Sequence, residues 1–478
     1  MDMRVKSDRP LYVDLDGTLI KSDLLWESFF MLARQSPGSL WRVPLWLLRG
    51  KAQLKAEIAR RITFDASLLP YRESVVERLA EARADGRRVV LATAANERLA
   101  GAIADHLGVF DAVLASDDET NLSAERKLAR IVAEGDADGF DYIGNSRDDL
   151  CLFDAATEAI VVAPDRAAAE WSRAADVPVV DGNAGRLVKD CLKAMRPHQW
   201  TKNVLVLVPL VLTHDYFDLQ RLLATFIAFV CFSFTASSVY IINDLLDLAS
   251  DRRHKTKRLR PFACGSVPIP VGLALAGTLL VVSALLSLAV GPLFQMVLAG
   301  YFAATTLYSF SIKRMLLVDV LTLAALYTVR IIGGSVAGQI EASFWLMAFS
   351  VFFFLSLALV KRFTELIEFG AGADRARTGR GYRDVDLDTL GQAGMSSGFA
   401  AVLVLALYLD SPEIRQLYDL PWMLWPLCPL VLYIIVRIWI LARRNEMHED
   451  PVVFILRDWR SQIMIASGAV MFVVAAYV

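Results

Sequence analysis

The sequence predicts a chain of two unlike domains: an α/β domain with a parallel sheet and helical cap over residues 1–190, then an all-α polytopic membrane domain over residues 191–478. Three observations predict it. Of 478 residues, 55% are hydrophobic, above the globular norm, while the charged share of 21% is only a little below it. That average conceals two halves, because charged and apolar residues mix over about the first 190 positions, whereas from Val204 onward apolar runs alternate with short charged loops. Within the first half, short apolar runs alternate with helical patterns, the order of a parallel sheet flanked by helices.

In chain order, residues 11–15, 88–93, 112–115, 141–143 and 159–162 read as buried strands, each short and bounded by turn residues. Helical periodicity covers 71–84 and 97–107. Residues 22–62 interrupt the alternation with an apolar, helical insertion. Its run from Leu40 to Leu48 is apolar enough to lie on a membrane or on the other domain, a buried cap helix being the alternative. In the second half about nine segments approach the length needed to cross a hydrocarbon core of ~30 Å, the first of them short. They lie near 203–213, 220–242, 269–291, 293–311, 315–337, 343–360, 391–410, 422–441 and 461–478. The loops at 243–268, 312–314, 361–390 and 442–460 hold nearly all the arginines and lysines, which makes them cytoplasmic by the positive-inside rule. Residues 1–10 are polar and lead straight into a short apolar run, so no signal peptide is expected. The expected arrangement is a multi-pass protein of the inner membrane with a cytoplasmic N-terminal domain and an external C-terminus.

The net charge of −2 argues against bulk nucleic-acid binding. Cys151, Cys191, Cys231, Cys264 and Cys428 are scattered without a CxxC pair, which excludes a disulfide frame or structural zinc site as the organising chemistry. The five histidines are equally dispersed.

The second expected span ends in Asn243-Asp244-Leu245-Leu246-Asp247-Leu248-Ala249-Ser250-Asp251. Spacings of three and four put Asp244, Asp247 and Asp251 on one face of a helix, where three carboxylates repel unless a cation neutralises them. Mg²⁺ suits such a stripe, taking a few carboxylates and completing its shell with phosphate oxygens and water. Arg252, Arg253, Lys257, Arg258 and Arg260 follow at once as donors for phosphate oxygens. A charged loop obeying the positive-inside rule accounts for the basic residues, but not for aspartates at a span end, where each charge costs ~2.5–3.5 kcal/mol at membrane depth.

This segment resembles the first motif, NDxxDxxxD, of the UbiA superfamily of intramembrane prenyltransferases, and the resemblance runs from about Arg196 to the C-terminus. It implies about nine spans and a second motif after the fourth, here Tyr308, Lys313, Arg314 and a single aspartate, Asp319. An ion pair between Asp319 and Arg330 is the structural alternative. Within the superfamily the chain is similar to decaprenyl-phosphate phosphoribosyltransferases, through residues 196–203 (RPHQWTKN), 254–261 (HKTKRLRP, with Lys255 where that group has proline) and 361–366 (KRFTEL), followed by Arg380-Gly381-Tyr382. The resemblance implies a Mg²⁺-bound 5-phosphoribosyl diphosphate donor on Asn243, Asp244, Asp247 and Asp251. It implies Lys257, Arg260, Lys361 and Arg362 for the 5-phosphate, and Lys202, Lys313 and Arg330 for a polyprenyl-phosphate acceptor lying in the bilayer. The alternative is transfer of a prenyl group from prenyl diphosphate to an aromatic acceptor. A transporter or lipid scaffold with broken helices is a third reading.

Asp14-Leu15-Asp16-Gly17-Thr18, at the end of the first strand, resembles the haloacid dehalogenase superfamily over about residues 9–185, implying a Rossmann-like fold with a cap. On that resemblance Asp14 is the nucleophile and Asp16 the acid/base. Thr93 and Lys127 bind phosphate, and Asp14, Asp16 and Asp149 hold Mg²⁺. Asn145 replaces the first aspartate of the family's GDSxxD, and an amide is a weaker Mg²⁺ ligand than a carboxylate. Removal of the 5-phosphate from the lipid product is the expected activity, and a regulatory or docking role the alternative.

Overall fold

The computed structural model describes residues 9–134, 139–182, 186–213, 218–369, 381–447 and 450–477. The chain divides into two compact units, Met1–Met195 with Tyr240–Ala276, and Arg196–Val239 with Gly277–Val478.

The first unit is built on a six-stranded, all-parallel sheet in the order β3-β2-β1-β4-β5-β6. The strands are β1 (Leu11–Val13), β2 (Val89–Asn96), β3 (Ala112–Ser116), β4 (Asp141–Gly144), β5 (Glu158–Val162) and β6 (Val179–Val180). Five match the expected strands; β6, two residues long, is too short to carry a periodic signal. Alternation of side chains sorts the core to two faces. Val13, Val89 and Leu91 pack beneath the cap, while Tyr12, Val90, Ala92 and Tyr142 pack on the other side. β1 lies between β2 and β4, so the order reverses beside it and a crevice opens at its carboxyl end. Asp14 stands there, its N–H bonded to Ile143 O at 2.9 Å.

The insertion is the cap: helix Leu24–Gln35, a 3₁₀ turn Pro37–Arg42, and helices Val43–Leu48 and Lys51–Ala59. Asp23 starts the first helix by accepting from Leu25 N and Trp26 N at 2.9 and 3.2 Å. Residues 240–276 belong to this unit and include the short helix Leu248–Arg253.

Among the described residues, seven helices are long and apolar enough to cross a membrane: Leu219–Leu246, Ile269–Ser287, Pro292–Phe310, Val318–Ala337, Phe344–Glu368, Asp384–Leu409 and Pro421–Arg443. The expectation of about nine is not confirmed at either end. Residues expected as the first span form a 3₁₀ helix, Pro197–Leu207, and a five-residue helix, Val208–Leu212, with Pro209 at its start. The last expected span falls in helix Trp459–Tyr477, whose apolar part, Trp459–Ala475, is shorter than the other seven. In the second unit Gly334 lets helix Val318–Ala337 reach the Pro197–Leu207 segment, since a Cβ there would lie 1.9 Å from Val206 O. That approach carries Lys202 and Asn203 to Tyr327 and Arg330.

Candidate active sites

The crevice beside β1 holds the first site. Asp14 Oδ1 meets Lys127 Nζ at 2.8 Å, and the same ammonium donates to Tyr142 OH at 3.0 Å and Asp149 Oδ1 at 3.4 Å. Asp149 Oδ1 also accepts from Tyr142 OH at 2.6 Å, while its Oδ2 accepts from Asn145 N, Ser146 N and Ser146 Oγ at 3.0–3.1 Å. Asp149 is thus ringed by protein donors and orients Lys127. Asp16 Oδ1 accepts from Leu24 N at 2.7 Å, and Thr93 Oγ1 from Ala95 N at 3.0 Å. Asn145 Oδ1 takes a hydrogen bond from Thr18 Oγ1 at 3.2 Å. Gly17, at φ +76°, lies so close that a Cβ would stand 2.2 Å from Asn145 Nδ2.

Asp14, Asp16, Gly17, Lys127, Asn145, Ser146 and Asp149 line a cavity of about 740 Å³. Lys55, which sequence reasoning missed, also lines it and donates to Ala94 O and Asn121 Oδ1 at 2.5 and 2.7 Å. Burial raises the Asp14 carboxyl to about 6, with Lys127 pulling the other way. Burial, followed by the charges of Asp23 and Asp14, pushes Asp16 well above the usual carboxylate range. Two carboxylates, Asp14 buried and Asp16 half-buried, both held above their ordinary values, form a site short of positive charge. A divalent cation would fit that deficit, and Asp14 and Asp16 are the residues that would hold it.

The second site lies on residues 243–260 of the same unit. Helix Leu219–Leu246 stops before Asp247 and helix Leu248–Arg253 starts after it. The single helical face expected for the three aspartates is therefore broken. Asp244 Oδ1 and Asp251 Oδ2 converge on one nitrogen, Arg260 Nη1, at 3.2 and 2.6 Å. Asp247 Oδ1 lies 3.4 Å from Arg34 of the cap helix. Burial raises the Asp251 carboxyl despite Arg260 beside it. Among the described residues no three His, Cys, Asp or Glu side chains are grouped to hold a metal ion. Asp244 and Asp251 nonetheless share one cation already, and Mg²⁺ is commonly held by one or two carboxylates with phosphate oxygens completing the shell. Asn243 is half-buried at the helix end, and Lys257 is exposed. Arg252 is not available to phosphate: it is buried, bonds Glu27 Oε1 and Oε2 at 2.5 and 3.0 Å, and donates from Nε to Ala263 O at 2.8 Å.

The second unit gathers three polar clusters. Asp319 is fully buried and accepts from Arg362 Nε and from Tyr382 OH. Arg362 also donates to Tyr308 OH at 2.7 Å and to Glu365. The alternative pair of Asp319 with Arg330 does not form. Arg330 instead donates to Asn203 Oδ1 at 2.7 Å, Tyr301 OH at 2.8 Å and Leu326 O. Lys202 and Lys361 share Asp450 Oδ2 at 2.6 and 3.3 Å, and Tyr327 OH donates to Asp450 Oδ1 at 3.1 Å. Lys313 sits half-buried in the 3₁₀ turn Ile312–Arg314. Asp450 was missed by sequence reasoning. Asp450-Pro451 reads as the start of a helix, and Asp450 Oδ1 indeed accepts from Val452 N at 3.2 Å. Arg380, singled out in the sequence, lies outside the described residues.

Fold and sites define a class: a multi-pass membrane protein joining a hydrolase-like α/β domain to a helical transferase-like unit. The chain belongs to the UbiA prenyltransferase family, whose model matches residues 204–459, and carries a haloacid dehalogenase-like hydrolase domain matched over residues 11–154. An uncharacterized protein of Sinorhizobium fredii, y4nM, is 39% identical over 471 residues, 97% of this chain and 90% of its own length. A decaprenyl-phosphate phosphoribosyltransferase of Mycolicibacterium smegmatis is 38% identical over 191 residues, 39% of this chain and 59% of that protein. Among solved structures, a UbiA homolog from Archaeoglobus fulgidus bound to GPP and Mg²⁺ aligns with TM-score 0.46 and 16% identity, over 59% of this chain and 99% of its own.

Proposed function

We propose that this UbiA-family enzyme transfers 5-phosphoribose from phosphoribosyl diphosphate to a polyprenyl phosphate, and that its hydrolase-like domain then removes the 5-phosphate. The observation that carries the first half is the 38% identity to a decaprenyl-phosphate phosphoribosyltransferase. The clustering of lysine and arginine at 253–260, with Lys361 beyond it in the chain, supports a donor with more than one phosphate.

In the first unit Asp244 and Asp251 are the residues that would hold Mg²⁺; the ion supplies charge neutralisation of the leaving diphosphate. Arg260, which those two carboxylates share, would take donor phosphate oxygens. Lys257, exposed beside it, is a further donor. In the second unit Lys202 and Lys361, both on Asp450, are the cations assigned to phosphate. The acceptor phosphate is already ionised near neutrality, so attack on the anomeric carbon needs no dedicated base.

In the hydrolase-like domain Asp14 is the nucleophile, oriented by Lys127. Asp16, held above the carboxylate range by burial, carries the proton that the leaving alkoxide takes up. Incubation of the purified protein with labelled phosphoribosyl diphosphate and polyprenyl phosphate tests the reading. Labelled lipid is the expected result. A prenylated aromatic formed from prenyl diphosphate, with no labelled lipid, would replace it by the prenyl-transfer reading that the family's own description favours.

A further inference from the structure

The cap of the hydrolase-like domain exposes a face that neither site uses. Across the 3₁₀ turn Pro37–Arg42 and helix Val43–Leu48, Leu40 and Val43 pack on the domain core and Trp46 is buried under Arg61. The opposite face presents Trp41, Leu45, Leu47 and Leu48 at 70, 47, 54 and 85% exposure. Four large apolar side chains exposed within eight positions form a contiguous patch, which soluble surfaces avoid unless something covers it.

Charge identifies what covers it. From residue 28 to residue 56 the chain has no Asp or Glu, and it carries Arg34, Arg42, Arg49, Lys51 and Lys55. Arg42 and Arg49, next to Trp41 and Leu48 in the chain, are exposed, and the Arg42 guanidinium lies 5.0 Å from the centre of the Trp41 ring. A tryptophan with leucines, flanked by arginines and free of acids, matches the boundary between acyl chains and anionic headgroups. A second protein copy fits less well, since the same cations would face each other across a symmetric contact. The chain is also a multi-pass membrane protein, so a bilayer is always at hand.

We propose that residues 37–49 form a bilayer-contact surface, with Trp41, Leu45, Leu47 and Leu48 at the acyl boundary and Arg42 and Arg49 on anionic lipid phosphates. The cap then rests on the lipid surface as a second kind of membrane contact beside the spanning helices.

The test uses the full-length protein in nanodiscs of phosphatidylcholine with phosphatidylglycerol. Subtracting the emission of Trp41→Phe from that of the natural chain isolates one tryptophan out of ten. Lipid brominated near the headgroup end of its acyl chains is expected to remove more than half of that difference signal, and aqueous iodide little of it. Omitting phosphatidylglycerol should weaken the lipid quenching at least twofold. A difference signal quenched by iodide and indifferent to brominated lipid overturns the proposal. Protection from both quenchers, lost when each nanodisc holds a single chain, overturns it in favour of self-association. Leu48→Trp in the Trp41→Phe chain repeats the measurement at a position whose replacement disturbs no buried contact.

Discussion

Asn145 shows how one side chain sets the chemistry of the hydrolase-like site. Its amide oxygen takes the Thr18 hydroxyl, and it adjoins two carboxylates already held above their usual range. Asn145→Asp keeps the acceptor and adds a formal charge, so the Mg²⁺ concentration for half-maximal phosphate release should fall roughly tenfold. Metal titration read by calorimetry would show the same direction, and an unchanged or raised requirement would refute it. In the aspartate motif, Asp244→Asn and Asp251→Asn should each lower transferase kcat/KM by about 10²–10³-fold, as for removal of a group stabilising transition-state charge. Asp247→Asn should cost clearly less, because Asp247 faces Arg34 instead of the shared cation. Equal losses at all three would show that the helix break does not matter to the reaction. The residues themselves were legible because each motif is local: Asp14 to Asp16, and Asp244 to Asp251. Their partners were not. Lys202 and Asp450 are 248 positions apart, and nothing within a sequence window joins them.

At the scale of elements, helix Leu248–Arg253 is tied to the cap helix Leu24–Gln35 by a buried pair, Arg252 with Glu27, and an exposed one, Asp247 with Arg34. Ser22 Oγ supports Glu27 at 2.6 Å, and the same turn offers Leu24 N to Asp16. Removing one partner of a buried pair strands the other charge, so Glu27→Ala should cost about 3–5 kcal/mol. Replacing both, as Glu27→Leu with Arg252→Met, should recover much of it. Thermal unfolding of the solubilised protein measures both; a double variant no more stable than the single would mean that charge stranding is not the cause. Element type was legible where periodicity ran long, as in helix Glu97–Leu107 and the seven apolar helices. It failed where backbone geometry outweighed hydropathy. Residues 203–213 are apolar enough for a span, yet they fold as a 3₁₀ segment and a short helix around Pro209. The helix break at Asp247 is equally invisible to a spacing rule that assumes continuous helix.

Fusion of the two proposed activities makes a prediction at the level of the whole molecule. The proposed transferase product is a phosphomonoester on a polyprenyl chain, which stays in the membrane after release. A hydrolase domain on the same chain meets that product at a high effective concentration, whereas a soluble phosphate ester meets it only by diffusion in bulk. The natural chain, given labelled phosphoribosyl diphosphate and polyprenyl phosphate, should therefore accumulate mainly dephosphorylated lipid, releasing about one inorganic phosphate per lipid formed beyond the diphosphate. Asp14→Asn should form labelled lipid at the natural rate and leave it phosphorylated, because Asp14 belongs to the crevice beside β1 and not to the aspartate motif. Excess ribose 5-phosphate should barely slow the natural chain's dephosphorylation. Thin-layer separation of the two lipids over time distinguishes the outcomes. If Asp14→Asn yields dephosphorylated lipid as fast as the natural chain, the domain has a docking or regulatory role, and the five protein donors around Asp149 serve to hold its fold.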